Sequence, residues 1–362
     1  MKKTLFTVFT ICSLNSFAQE VEKSEEKPTE ESRTQQLLKN VSLNGSIDTY
    51  FRQNIRGPNG EDAISPNTSF ANLNGFTLGM ANLVLSYEGK KVGFTADLVV
   101  GPRGEDATFL SPFLRPDGTS SIINQMFVYW NVTDKLKLTM GNFNTFLGYE
   151  VISPVGNFNY STSYMFSYGP FSHTGIKANY TFNDDWSALF AIMNATDQTE
   201  FNLNNSYTIG AQVGYKSTYL NFLYGRQSSP SEPTFQVDLT TGFDITDTFY
   251  LGLNSTYNTT DNTAFYGAAL YPQYSLSDTF SLGLRGEYFT EIEGGVGAIG
   301  GYDPEGDADV FAITLTGSYT IGGLTIKPEL RIDSTSEDTF MGADLEPTNT
   351  LSSFVLAAIY SF

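Results

Sequence analysis

"FYLGLNSTY", residues 249–257, reads on two faces at once: Phe249, Leu251, Leu253 and Tyr257 share one parity, while Tyr250, Gly252, Asn254 and Thr256 share the other. A side-chain period of two belongs to a β-strand. "FSLGLRGEY" (280–288) repeats the scheme, with Phe280, Leu282, Leu284 and Tyr288 against Ser281, Gly283, Arg285 and Glu287. In "LTIKPELRID" (324–333), Leu324, Ile326, Leu330 and Ile332 oppose Thr325, Lys327, Glu329, Arg331 and Asp333. One face is oily; the other is glycine, hydroxyl, amide and charge.

Very short links join such segments in pairs, at 89–91, 133–135, 183–185, 216–218, 246–248, 277–279 and 322–323. They are rich in Asp, Asn and Gly, which tolerate the backbone angles of tight hairpin turns. Longer segments rich in Pro, Gly and Asn alternate with them, as at 57–72, 101–121, 148–171 and 293–308. Successive connections of an up-and-down sheet fall at opposite ends, so the short turns gather at one end and the long loops at the other.

A soluble sandwich would show the same period with its oily face inward. Nearest-neighbour hairpins, a polar face rich in Gly and charge, and aromatics (14% of the chain) gathered near strand ends point instead to a membrane barrel. From residue 41 onward no apolar run approaches the ~18 residues of a membrane helix. The fold class is therefore all-β, a transmembrane antiparallel up-and-down β-barrel of about 16 strands over residues 41–362. An even strand count puts both termini at the short-turn end, the periplasmic side of outer-membrane barrels.

Every backbone group in hydrocarbon needs a partner, so the last strand must pair with the first. "NTLSSFVLAAIYSF" (349–362) is the expected closing strand, with Phe354, Leu356, Ala358, Tyr360 and Phe362 toward lipid. At the other end, the basic Met1-Lys2-Lys3, the apolar run 4–14 and the small residues Ser16 and Ala18 predict a signal peptide over 1–18. The single cysteine, Cys12, lies inside it, so the mature chain has no disulfide framework. Residues 19–40 predict a disordered acidic periplasmic lead-in. Removing Lys2 and Lys3 from 20 basic residues leaves 18 against 39 acids, a net charge of −21, which excludes nucleic acid as a partner.

The stretch 124–182 carries Gly141-Asn142-Phe143, Gly148-Tyr149-Glu150, Asn157 and Asn159, the pairs Tyr160-Ser161 and Ser163-Tyr164, and the re-entry from Pro170 to His173-Thr174-Gly175. In these features it resembles the OmpL-like outer-membrane β-barrel porins of Bacteroidetes-type envelopes. The resemblance implies a pore-forming barrel in the outer membrane of a Gram-negative bacterium and names no solute. The ending, with aromatic Tyr360 and Phe362 two apart, resembles the C-terminal assembly signal of bacterial outer-membrane barrels, which implies the barrel assembly machinery as a partner. It departs at Ala357 and Val355, where those signals often carry glycine and a polar residue. Outer-membrane lipid and small hydrophilic solutes complete the implied partners, and a homotrimer is open to such a barrel.

In sixteen-stranded porins the third long loop commonly folds into the lumen, and 148–171 is the third long loop here. Tyr149, Glu150, Asn157, Tyr160 and Tyr164 are thus the expected constriction; the competing reading is an external lid packed on its own aromatics. Parity points Asp48, Arg52, Asp97, Lys137, Lys177, Asp238, Asp244, Arg285, Glu287, Lys327, Glu329 and Arg331 inward. Mixed signs on a wetted wall act as a filter for hydrated ions, or simply pair across strands. The acid excess predicts a mild cation preference.

"YDPEGDADV" (302–310) gathers Asp303, Glu305, Asp307 and Asp309, oxygen ligands suited to calcium but in no EF-hand order; a solvated loop is the expectation. His173, the only histidine, lies beside Ser172 without a catalytic constellation around it, and no cofactor motif appears, so no enzyme is expected. The sequence reading is a porin passing small hydrophilic solutes or ions through a loop-constricted, water-filled barrel. The alternative is a loop-plugged barrel acting as a surface receptor or structural envelope protein.

Overall fold

The computed structural model of the protein describes residues 39–110, 120–200, 202, 205–228 and 231–362. The expected signal peptide (1–18), the lead-in up to residue 38, and part of the 101–121 loop lie outside the described residues. The strands are β1 (Val41–Arg56), β2 (Gly75–Glu88), β3 (Val92–Val100), β4 (Ile123–Asn131), β5 (Leu136–Asn144), β6 (Ser172–Thr181), β7 (Trp186–Met193), β8 (Thr208–Tyr215) and β9 (Thr218–Gly225). They continue as β10 (Thr234–Thr246), β11 (Phe249–Thr260), β12 (Thr263–Ser275), β13 (Phe280–Ile292), β14 (Ala308–Ile321), β15 (Leu324–Thr335), β16 (Phe340–Met341), β17 (Pro347–Thr348) and β18 (Thr350–Ser361).

Sixteen of these form one closed antiparallel barrel, each strand beside its sequence neighbour, with β18 between β15 and β1; β16 and β17 make a separate two-stranded ribbon in the last long loop. Closure is continuous to the final residue. Ile47 faces Tyr360 and Thr49 faces Ala358 across the seam, and Gly45 and Phe362 exchange backbone hydrogen bonds of 3.2 and 3.1 Å. The apolar end of the chain is thus paired rather than frayed. β7 to β9, of eight residues each, run about 26 Å along their own axes at ~3.3 Å per residue, which at a tilt of about 40° is a rise of roughly 20 Å of the ~25 Å apolar band of such barrels.

Parity runs as the sequence predicts. Leu356, Tyr360 and Phe362 of the closing strand are exposed on the outer face, while Val355, Ala357 and Ile359 between them are buried inside. Outward aromatics meet near both ends. Trp186 pairs Tyr215 and Phe280 pairs Tyr319 near the short turns; Tyr257 pairs Tyr266 and Tyr288 pairs Phe311 toward the long loops. Amphipathic rings at these levels are the girdles expected of a chain crossing a bilayer.

One long-loop connection is not long. β11 and β12 are joined by Asp261 and Asn262 alone, with Asp261 at φ 56, a left-handed conformation that Asp tolerates better than most residues. The wall beneath that mouth therefore stands lower in loop cover than its neighbours.

Candidate functional site

The connection between β5 and β6, residues 145–171, runs inside the barrel. Its tip carries a short helix α1 (Tyr164–Tyr168), begun by Ser163, whose hydroxyl accepts the Phe166 N–H at 3.1 Å. The barrel wall makes room for it with glycine. A Cβ on Gly252 would lie 2.4 Å from the Tyr149 hydroxyl, and one on Gly283 would lie 2.3 Å from the Phe158 ring. The inward glycines of the two opening strand motifs are therefore berths for loop aromatics. Tyr149 also stacks on Tyr271 with centroids 4.1 Å apart and donates to the Tyr250 hydroxyl at 3.1 Å.

The loop has few backbone partners of its own, so its peptide groups are met by charges on the wall, as buried polar groups must be. Glu329 accepts the Tyr160 and Ser161 N–H groups at 2.7 and 3.0 Å. Glu287 accepts those of Tyr164 and Met165, both at 2.9 Å. Asp238 accepts from Gly148 N–H at 2.8 Å. Cations take the carbonyls: Arg285 donates to Ser161 O at 2.6 Å and Arg331 to Thr162 O at 2.8 Å, while Lys327 donates to Pro154 O and Asn157 O. Two ion pairs lock the frame. Arg285 meets Glu150 at 2.6 Å, and Arg331 meets Asp333 at 2.8 Å, all four side chains buried. The Tyr160 hydroxyl donates to Asp48 at 2.5 Å, and burial beside that carboxylate pushes its pKa well above the usual phenol range.

All five expected constriction residues thus sit inside the barrel, Tyr160 and Tyr164 almost wholly buried. Asn157 serves the loop itself, its side-chain amide bridging Val151 N–H at 2.8 Å and Val151 O at 2.6 Å. The reading of inward charges as a wetted wall is corrected for one side of the barrel. Arg285, Glu287, Lys327, Glu329 and Arg331 are buried, because each is spent on the loop. Even Val355, Ala357 and Ile359 join a dry cluster with Tyr50, Ala71 and Tyr160.

The loop does not gather Asp97, Lys137 or Lys177. Asp97 on β3 accepts from Asn124 at 2.6 Å and Asn82 at 3.2 Å. Lys137 lies exposed over the Tyr129 ring at 4.4 Å, and half-buried Lys177 lies over Phe143 at 3.9 Å.

Sequence reasoning missed Arg103, which has no strand parity to reveal it. It lies in a short helix α2 within the β3–β4 loop, here the segment Pro102–Ala107, and is buried. Its guanidinium donates to Ile152 O at 2.7 Å and Tyr160 O at 3.3 Å and covers the Phe70 ring at 4.4 Å. A second long loop thereby clamps the third from above. Asp197, in the β7–β8 loop, was missed for the same reason; its carboxylate accepts Phe171 and Ser172 N–H, both at 2.8 Å, where the third loop re-enters β6.

His173 is fully buried, its Nε2 2.9 Å from the Thr145 hydroxyl and its ring beside Phe146. In the acidic loop, Asp303 accepts Glu305 and Asp307 N–H at 3.0 and 2.8 Å, while Asp309 turns to the hydroxyls of Tyr288 and Thr290, both at 2.7 Å. The carboxylates diverge, and among the described residues no three His, Cys, Asp or Glu side chains are grouped to hold a metal ion.

Residues 40–362 match the family model described as "Putative beta-barrel porin-2, OmpL-like". The chain belongs to this porin family. Solved structures show how widely its fold is shared. The outer membrane channel DcaP of Acinetobacter baumannii superposes with a TM-score of 0.56 at 12% identity, over 89% of this chain and 97% of that one. OmpT of Vibrio cholerae, in its trimer form, gives 0.55 at 11% identity, over 89% and 99%. No curated protein sequence matches the chain. At such identities the likeness is one of fold, so within the porin family the loop and its anchors must be read from this chain itself.

Proposed function

We propose that the protein is an outer-membrane porin through which small hydrophilic solutes or ions diffuse, with residues 145–171 as its constriction and both termini on the periplasmic side. The observation that carries this reading is the way Glu287, Glu329, Arg285 and Arg331 hold the loop backbone against one wall, between β11 and β1. A loop fixed to one side narrows a lumen without depending on its own flexibility. Selection is then by size and by the charges left accessible on the opposite wall, chiefly Lys137 and Lys177. The net charge of the chain does not describe that wall, since the inward carboxylates Asp48, Asp97 and Asp238 are buried behind hydrogen-bond donors, while Asp244 stays exposed in the second cavity. The barrel assembly machinery, surrounding lipid and a homotrimeric assembly belong to the same proposal.

A second reading, the loop-plugged receptor or envelope barrel, is favoured by one feature. Separate cavities of about 710 and 730 Å³ lie on the two sides of the loop, the first reached by Tyr168 and Phe171 and the second by Tyr149 and Phe158. Single-channel current from detergent-purified protein in a planar bilayer under a salt gradient decides between them. Discrete stable steps support the pore; no current from a folded, heat-modifiable barrel would sink it in favour of the plug.

A further inference from the structure

We propose that the cavity at the long-loop mouth is a binding site for neutral polyhydroxylated solutes, of the size of short oligosaccharides, which it concentrates above the constriction. The proposal rests on the porin reading for its purpose, but not for its chemistry. The cavity, about 710 Å³, is within the range that holds small organic ligands. Its lining is dominated by hydroxyls and carboxamides, and among the described residues no Lys, Arg or His lines it.

One wall is a ready-made row of such groups on β10 and β11. Thr234 and Thr260 hydroxyls meet at 2.6 Å, and Gln236 Oε1 accepts from Asn258 Nδ2 at 3.2 Å while its own amide donates to Thr256 at 3.2 Å. These bonds fix the planes of both amides. They leave Asn258 its Oδ1 and one N–H, and Gln236 one N–H, for a solute. Paired donor and acceptor on a fixed plane suit vicinal hydroxyls, which each offer one of both. The low wall at Asp261 and Asn262 leaves this row open from outside.

The opposite side offers ring faces. Phe109 is half exposed at the mouth and stands edge-on to Phe171 at 6.2 Å, and Tyr168 is tethered through its hydroxyl to Asn67 O at 2.8 Å. The negative face of an aromatic ring attracts the polarised C–H face of a pyranose. Charge argues against an anionic rival. An anionic solute would approach Asp106 and Asp197, and among the described residues no lining cation receives it. A cationic one would meet Asp197 with its Oδ1 already accepting the Phe171 and Ser172 N–H groups and Asp106 exposed at the rim, so it is the charged rival that the test must separate from a neutral sugar.

The test is isothermal titration of the detergent-solubilised full chain with maltotriose, glucosamine and gluconate, alongside reversible current block by the same solutes in a bilayer. Saturable maltotriose binding, stronger than that of either charged sugar and weakened about tenfold by Gln236→Leu with Asn258→Leu, is the expected result. Phe109→Ala, on an exposed loop side chain, should weaken it as well and serves if the double variant does not fold. Equal binding to wild type and variants, or tighter gluconate or glucosamine binding, overturns the proposal. Binding without any channel current keeps the site and removes the pore, so the two readings fail separately.

Discussion

Arg285 and Glu150 meet at 2.6 Å inside the barrel although 135 positions separate them in the chain, and the same guanidinium holds Ser161 O and Thr162 O. One side chain on β13 thus ties both limbs of the third long loop. Arg285→Met strands a buried carboxylate and two carbonyls, and removing one partner of a buried pair costs about 3–5 kcal/mol. The expected outcome is a lowered urea midpoint, noisier or larger channel currents, and protease cleavage within 148–171 of the folded barrel. Glu150→Leu added to Arg285→Met should recover part of the loss, because the orphaned charge is gone. A strictly additive double variant would mean that the pair is not what holds the loop.

The barrel was legible in the sequence because each strand repeats an inside–outside alternation that a one-residue slip would invert. Gly252 and Gly283 were legible as inward positions, yet their purpose was not: a glycine at an inward site reads as a gap until Tyr149 and Phe158 are seen to fill it. Counting connections singles out the third loop, and Tyr149, Glu150, Tyr160 and Tyr164 of that loop lie inside the barrel. The destination of Glu287, Glu329 and Lys327 was hidden, since parity gives the face of a strand residue but cannot say whether water or a folded loop will meet it. Arg103 and Asp197 left no signal at all, being single polar residues in polar loops whose partners are backbone atoms of another loop.

The closing seam predicts an assembly defect. Phe362 carries the last two backbone bonds to Gly45, and Tyr360 and Phe362 present exposed rings on the outer face. Deletion of Phe362, or Tyr360→Ser with Phe362→Ser, should leave chain synthesis unchanged and sharply reduce the heat-modifiable folded form in outer-membrane fractions. Refolding of the same variants into detergent separates recognition from stability: a variant that fails in cells but refolds in vitro has lost a signal, whereas normal yields in cells would remove the assembly role.

Lys177 predicts the ion preference. It pairs with no carboxylate among the described residues and rests on the Phe143 ring, on the wall opposite the anchored loop. A two-unit charge change about 6 Å from a passing ion is worth roughly 1.4 kcal/mol in water, at most about tenfold in relative permeability. Lys177→Glu should therefore move the reversal potential toward cations, more at low salt than at high. Lys327→Met, a change beneath the loop, should alter loop order more than selectivity. An unchanged reversal potential in Lys177→Glu would take the conducting path away from β5 and β6.

Asp197 supplies a pH dependence outside the membrane-spanning strands. Burial raises its carboxyl from 3.8 to about 6, against the two backbone N–H groups that pull it down. For an acid so raised, the folded state binds the proton more tightly than the unfolded chain, so this group's contribution is fully present below about pH 3.8 and is lost as pH rises through 6. Asp197→Asn keeps an oxygen acceptor for Phe171 and Ser172 and removes the charge. The variant should match wild type in urea stability near pH 3.5 and exceed it above pH 7, by at most about 3 kcal/mol. If instead Asp197→Asn is the weaker protein at neutral pH, the carboxylate's hydrogen bonds to the re-entering loop outweigh its burial, and the clasp at 171–172 depends on the ionised form.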